Sequence, residues 1–301
     1  MIMTQKKLLM IVNPTAGKKK SRGPLFDAAA ILSQAGYLIS IHNTAFPGDA
    51  FQTAATLGKD YDVVVAVGGD GTLNQVVSGV MTLNPRPLVG YLAQGSTNDF
   101  AASLQIPRNP ASAAKLIANG TPFQLDLGRW NNRHFVYVAS FGAFTQSSYT
   151  APQTSKNTLG HLAYVLEGVK DLNSLRPYYL KITADGEVLE GNYLFGAICN
   201  STSIGGLMHL NREHVILDDG WFEMLLIPKP KSPAELPTLI LNLLDQEFSY
   251  EGLVFRHVSS IHVETSEDLP WSLDGEYAAS MPVIDIVNRQ QALTMLLLAR
   301  N

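Results

Sequence analysis

One cysteine, Cys199, stands among 301 residues; it excludes an intramolecular disulfide and points to a reducing compartment. Long apolar runs are missing as well. The best candidates, Leu236 to Leu244 and Leu293 to Ala299, fall short of the roughly 18 to 20 residues a bilayer span requires. Met1 to Met10 lacks the apolar core and small-residue cleavage site of a secretory signal, so the expected location is the cytoplasm. Basic charge is not in excess: the formal net charge is -4, which argues against nucleic acid as a partner. Histidine offers no metal framework. His209 with His214, and His257 with His262, have a spacing that fits neither a zinc-protease helix nor a finger, and they read as ordinary surface or loop residues. Internal repeats and long low-complexity tracts are absent.

What is present is a folded globular composition, 46% hydrophobic and 16% charged, long enough for two domains. The organising stretch runs from Tyr61 to Val80. Its apolar run Val63 to Val67 suits a strand covered on both faces; Gly68-Gly69-Asp70-Gly71-Thr72 then breaks it, and Leu73 to Val80 restarts as a helix. Such a junction aims backbone N–H groups and a helix dipole at one point, which favours a phosphate. A tight turn without a ligand has the same composition. The stretch lacks the last glycine of a dinucleotide fingerprint and the Gly-Lys-Ser/Thr ending of a P-loop, so both common nucleotide folds are demoted.

The same alternation repeats on either side. Leu8 to Val12 reads as a strand, Pro24 to Ala35 as a helix, Tyr37 to His42 as a strand, Ala50 to Leu57 as a helix and Leu88 to Leu92 as a further strand. Strands alternating with helices predict a parallel sheet whose ligands lie at the carboxyl ends of its strands. The segments after those ends, Asn13 to Gly17, Thr44, Gly69 to Gln75 and Gly95 to Asp99, are therefore expected to converge. After a short helix over 111–118, the texture from Gln124 onward becomes strand-rich: Phe135 to Ala139, Tyr178 to Ala184, Val188 to Glu190, Tyr193 to Cys199, Phe222 to Ile227 and Ser259 to Val263. Helices are expected at Leu159 to Leu172 and Ala234 to Glu247. The prediction is an α/β domain over residues 1–125, completed by about 290–301, and a β-rich domain over 126–289.

Two late acidic clusters carry potential chemistry. Asp218-Asp219-Gly220 suits either a hard cation or a hairpin turn. In Leu273-Asp274-Gly275-Glu276 the acids are two apart, so in an extended chain both carboxylates face one side, roughly 7 Å apart. Asp-Gly turn chemistry is the alternative.

Taken in order, Asn13-Pro14-Thr15-Ala16-Gly17, Gly68 to Asn74, Gly95-Ser96-Thr97-Asn98-Asp99-Phe100, Leu217 to Trp221 and Leu273 to Glu276 resemble the motifs of the diacylglycerol kinase catalytic domain family, most of all the soluble bacterial diacylglycerol kinases. The resemblance implies an α/β nucleotide domain and a β-sandwich-like second domain, with the final strand near Ala292 to Leu298 returning to one of them. It implies ATP contacts at Asn13, Pro14, Thr15, Ala16, Gly17, Thr44, Gly69, Asp70, Gly71, Thr72, Leu73, Asn74, Gln75 and Ser96. A structural magnesium falls to Ile216, Asp219 and Trp221, the first and last through carbonyls. Asp70, Asp99 and Asp126 correspond to acids that arrange a catalytic magnesium and its waters, and Glu276 to the general base, supported by Asp274. Gln75, where relatives commonly carry Glu, and Ala93-Gln94, where they often carry a proline, depart from the pattern. The implied activity is phosphorylation of diacylglycerol, or of phosphatidylglycerol, a sphingoid base or NAD. A nucleotide sensor without transfer is the non-enzymatic alternative. The implied partner is a membrane lipid met transiently from the cytosolic surface, and a homodimer is compatible with the pattern.

Overall fold

A computed structural model of the chain describes residues 5–16, 22–95, 97–142, 176–204 and 208–298. Two compact units divide it, residues 1–125 with 291–301, and residues 126–290. The helix expected at Leu159 to Leu172, with Gly17, Ser96 and Lys18 to Lys20, lies outside the described residues.

The first unit alternates β1 (Lys7–Val12), α1 (Arg22–Gln34), β2 (Leu38–Asn43), α2 (Asp49–Leu57), β3 (Val63–Gly68), α3 (Asp70–Val80), β4 (Leu88–Ala93), α4 (Asp99–Ser103) and α5 (Pro110–Asn119). Strand order β4-β3-β1-β2 is parallel throughout, in register Val64 with Leu9 and Val89. β3 is buried at every position, as a continuous β-branched run covered on both faces must be. Helices α1 and α5 pack on each other, as do α2 and α3. Gly79 makes the second pairing close: a Cβ there would meet the Phe51 carbonyl oxygen at 2.6 Å and the Ala54 Cβ at 2.7 Å.

The second unit follows from β5 (Thr121–Trp130), which begins in the first, through β6 (Arg133–Phe135), β7 (Val138–Gly142), β8 (Tyr178–Ala184), β9 (Glu187–Cys199), β10 (Ser203–Ile204), β11 (Met208–His209), β12 (Phe222–Pro228), α6 (Leu236–Asp245), β13 (Val254–Val258), β14 (Ser260–Glu264), β15 (Trp271–Leu273) and β16 (Glu276–Ala278) to β17 (Val283–Leu297). The two strands expected at Val188 to Glu190 and Tyr193 to Cys199 are one. Gly191 and Asn192 stay in the β8 ladder, so β9 runs through them, pairing with β8 in its first half and with β7 and β12 in its second. β13 carried no strand expectation, because its burial alternates poorly. The core joins Trp130, Phe135, Phe141, Leu180, Phe222 and Trp271 with aliphatic side chains from β8, β9, β12, β14 and β17. Phe141 and Trp271 stack tilted with centroids 4.9 Å apart. In β17, residues 283–287 pair with β14 in the second unit, and Met295 pairs with Val89 in the first. The expected helix over Ala234 to Glu247 shortens to α6 behind a 3-10 turn at Pro233–Glu235, since Pro233 and Pro237 restrict its entry.

Candidate active site

The carboxyl ends of β1, β2, β3 and β4 come together by backbone pairing just past each strand: Asn13 N donates to the Val67 carbonyl (2.9 Å), Thr44 N to Val12 (2.8 Å) and Gln94 N to Gly68 (2.7 Å). The loops then lock through side chains. Asn13 Nδ2 donates to Thr72 Oγ1 (3.2 Å), and Asn13 Oδ1 accepts from the Thr15 amide and hydroxyl at 3.0 and 2.8 Å. Pro14 and Thr15 are exposed and Ala16 half-buried on the lip of this loop.

Glycine is required where the two inner loops meet. A Cβ on Gly95 would stand 2.5 Å from Gly69 Cα and 2.7 Å from Asn98 Oδ1, so backbone touches backbone there. Asn98, at φ +55°, closes the second loop by accepting from Gly95 N (2.9 Å) and donating to its carbonyl (2.7 Å). Asp70 Oδ2 accepts the Asp99 amide at 3.1 Å, and the Tyr91 hydroxyl lies 3.3 Å from Asp70 Oδ1 and 3.4 Å from Asn98 Oδ1. The N-terminus of α3 has Gly69 as its cap, a residue without a side chain to turn back on the first turn, and a helix N-terminus favours an anion. Gly71, Asn74 and Gln75 are half-buried along its first turns, whereas Thr72 and Leu73 face the core, so Leu73 offers only its backbone. Tyr91 and Asn98 were not singled out in the sequence: Tyr91 reads as strand filling, and the role of Asn98 depends on its left-handed backbone.

The Thr44 loop is pinned by Asp49. Its carboxylate accepts from the Ala45 amide (2.7 Å) and the Thr53 hydroxyl (3.1 Å) and faces His42 Nε2 at 3.1 and 3.2 Å. The Ala45 N–H, foremost, holds the Asp49 carboxyl below the ordinary carboxylate range.

In the second unit Asp126 is fully buried and central. Its amide donates to the Leu217 carbonyl (2.8 Å), while Oδ2 accepts from Gly220 N (2.6 Å) and Asn288 Nδ2 (3.2 Å). Asn200 Nδ2 donates to its carbonyl at 2.8 Å. Asp126 thus shapes the turn where Gly220 adopts φ +88° and Asp219 Oδ1 accepts Trp221 N at 2.9 Å. Ile216 and Trp221 are exposed, and with Asp219, Glu213, His214 and His257 they line a cavity of about 380 Å³. His214 and His257 are surface or loop residues as expected: His257 Nε2 meets the His214 carbonyl at 3.1 Å, and Phe248 and Phe255 stack beside them. Next along the chain Glu223 is 1% exposed. Burial pushes its carboxyl up to about 9, with Asp219 and Asp126 adding to the rise. Among the described residues no three His, Cys, Asp or Glu side chains gather closely enough to hold an ion by themselves. The Asp219 carboxylate and the carbonyls of its turn nevertheless suit a hard cation that keeps part of its hydration.

Of the two geometries open to Asp274 and Glu276, the structure takes the Asp-Gly turn and not the extended chain. Asp274 and Gly275, at φ +51° and +86°, form a two-residue turn joining β15 to β16, the primed hairpin that Asp-Gly favours. Asp274 is 3% exposed and its carboxylate accepts three amides: Val136 at 2.6 Å on Oδ2, with Tyr137 at 2.9 Å and Val138 at 3.0 Å on Oδ1. Glu276 is exposed, paired across the hairpin with Leu273. Asp274 positions the hairpin, and Glu276 alone is open to a substrate.

Two family profiles match the chain: the diacylglycerol kinase catalytic domain over residues 7–130 and the YegS C-terminal NAD kinase beta sandwich-like domain over residues 138–297. Curated relatives include a diacylglycerol kinase of Bacillus subtilis (strain 168), 33% identical over 92% of this chain and 92% of its own. Another is the diacylglycerol kinase of Staphylococcus aureus (strain MRSA252), 33% identical over 92% and 88%. A crystal structure of a diacylglycerol kinase from Bacillus anthracis superposes with a TM-score of 0.77 at 25% identity, covering 97% of both chains.

Proposed function

We propose, from the premise that this chain belongs to the diacylglycerol kinase catalytic domain family, that it moves the γ-phosphoryl group of ATP to the free hydroxyl of diacylglycerol, giving phosphatidic acid. The observation that carries the reading is the paired glycine loop, Gly69 against Gly95, at the N-terminus of α3. Backbone can approach a triphosphate there as no side chain permits. Asn13 and Thr15 close the cradle on one side, the Asp49-pinned Thr44 loop on another, and Asp70 with the Asp99 amide presents a carboxylate beside it.

Phosphoryl transfer asks a protein chiefly for positioning and charge stabilisation. Asp70 and Asp99 would hold a catalytic magnesium and its waters, and the ion would neutralise phosphate charge. Ile216 and Trp221 carbonyls with the Asp219 carboxylate would hold a second, structural ion. Glu276 takes the acceptor hydroxyl's proton as the oxygen bonds to the γ-phosphorus and the bond to the bridging oxygen breaks, releasing ADP, and Asp274 fixes the hairpin that presents Glu276. Among the described residues no helix is long and apolar enough to cross a membrane, which is consistent with meeting a lipid at its surface.

Labelled ATP offered with diacylglycerol, phosphatidylglycerol, sphingosine and NAD tests the reading. Label in phosphatidic acid supports it, and saturable ATP binding with no labelled product rejects transfer. A second reading, phosphorylation of NAD, draws on the second domain's match to an NAD kinase-like sandwich; label in NAD alone would select it.

A further inference from the structure

Asp49 is a buried acid whose oxygens are spent inside the fold. It is 5% exposed; Oδ2 accepts the Ala45 amide at 2.7 Å, Oδ1 accepts the Thr53 hydroxyl at 3.1 Å, and both oxygens meet His42 Nε2, at 3.1 and 3.2 Å. What this acid does is fix a ring. The Ala45 N–H, foremost, keeps the carboxylate ionised, and an ionised carboxylate only accepts. Nε2 is therefore the protonated nitrogen, and in the neutral imidazole the lone pair lies on Nδ1. Nδ1 has no partner among the described residues, and the His42 side chain is 35% exposed. A buried acid thus holds one open acceptor in a set orientation.

The place of that acceptor says what it meets. His42 is the next-to-last residue of β2 and lies two before Thr44, whose amide donates to the Val12 carbonyl at the end of β1 (2.8 Å). The ring is therefore on the carboxyl-end rim of the sheet that carries Asn13 and the Gly69 turn. In the order β3-β1-β2 it stands two strand spacings from that turn, about 10 Å, a span that leads from a triphosphate to the sugar or base of the same nucleotide. Ionised phosphates bring no hydrogen to an acceptor. The hydrogens that ATP offers are those of its ribose hydroxyls and of its adenine 6-amino group. We propose that His42 Nδ1 accepts a hydrogen bond from the nucleoside half of ATP, which makes His42 a specificity-determining residue for the nucleotide, with Asp49 orienting its ring. The inference rests on the reading of this rim as the ATP site. It adds to the phosphate cradle a contact that distinguishes one nucleoside from another.

The test is binding to the full chain, read by titration calorimetry with Mg2+ present, of ATP, 2′-deoxyATP, 3′-deoxyATP and ITP, whose 6-position carries oxygen in place of the amino group. The variant is His42→Gln, whose side chain reaches the place of Nε2 and so keeps a donor for Asp49, but has no acceptor where Nδ1 stood. Wild type should bind one of the analogues about 3–10-fold more weakly than ATP, and which one identifies the donor as a sugar hydroxyl or the base. In His42→Gln that ratio should fall to one because ATP itself weakens. Four nucleotides bound within twofold of one another by wild type overturn the proposal. So does a His42→Gln protein that keeps the wild-type ratio, even where all four affinities drop together, since a mere prop of the Thr44 loop would act on every nucleotide alike. A wild type that binds no ATP overturns the ATP reading along with the proposal. Should His42→Gln fail to fold, His42→Asn decides, because it puts an amide oxygen in the place of Nδ1 and gives up Asp49: the ratio kept supports the proposal, and a ratio of one overturns it.

Discussion

Replacing Asp274 removes one carboxylate and strands three amides. Val136, Tyr137 and Val138 are each buried, at 1%, 5% and 2% exposure, and all three donate to this side chain. Hydrogen bonds to a charged acceptor contribute about 1.5–3 kcal/mol each, and neighbouring losses are not fully additive. Asp274→Ala should therefore cost about 4–6 kcal/mol. Asp274→Asn is milder, because an amide oxygen in the place of Oδ1 keeps Tyr137 and Val138. Its NH2 group then faces the Val136 N–H, donor against donor, where the native contact is 2.6 Å, so about 2–3 kcal/mol is lost. The three tryptophans, Trp130, Trp221 and Trp271, all lie in the second unit, so urea unfolding followed by tryptophan fluorescence reports on the part concerned. At a slope of about 2–3 kcal/mol/M, Asp274→Ala should lower the midpoint by roughly 2 M and Asp274→Asn by roughly 1 M. Midpoints within about 0.3 M of wild type for both variants would refute the argument that this carboxylate holds the hairpin to the start of β7.

Further expectations concern the proposed chemistry and its frame. Glu276→Gln should abolish turnover and leave ATP affinity unchanged in equilibrium dialysis; retained turnover would remove Glu276 from the mechanism. Gly95→Ala forces a methyl to within 2.5 Å of Gly69 Cα, so we expect about 1–3 kcal/mol of destabilisation by thermal unfolding and at least tenfold weaker ATP binding. Equal affinity would show that the loops need not touch. Asp49 titrates below its ordinary value of 3.8 in the folded chain, so it stabilises the fold above that pH and the contribution disappears as pH falls through the folded value. The stability gap between wild type and Asp49→Asn should accordingly be present at pH 7 and close in strong acid, and a gap independent of pH would refute the assignment.

How much of this was legible beforehand depended on whether the information was local. β3 into α3 was legible because a β-branched run, a glycine turn and an apolar helix face are each written in neighbouring residues. The continuity of β9 across Gly191 and Asn192 was not, since partners on β8 supply the pairing that local propensity denies. The Asp-Gly turn was legible at Asp274, but the burial of its carboxylate was not, for a similar reason: residues 136–138, far away in sequence, draw it inward.

The order of the motifs and the α/β-then-β division were determined by the sequence alone, because hydrophobic period and turn chemistry are properties of adjacent residues. Only the tertiary structure decided which acids are engaged and which are open. Whether Asp274 is engaged, Glu276 open, or Glu223 buried depends on which backbone amides arrive from distant strands, and that follows from the pairing of the whole sheet.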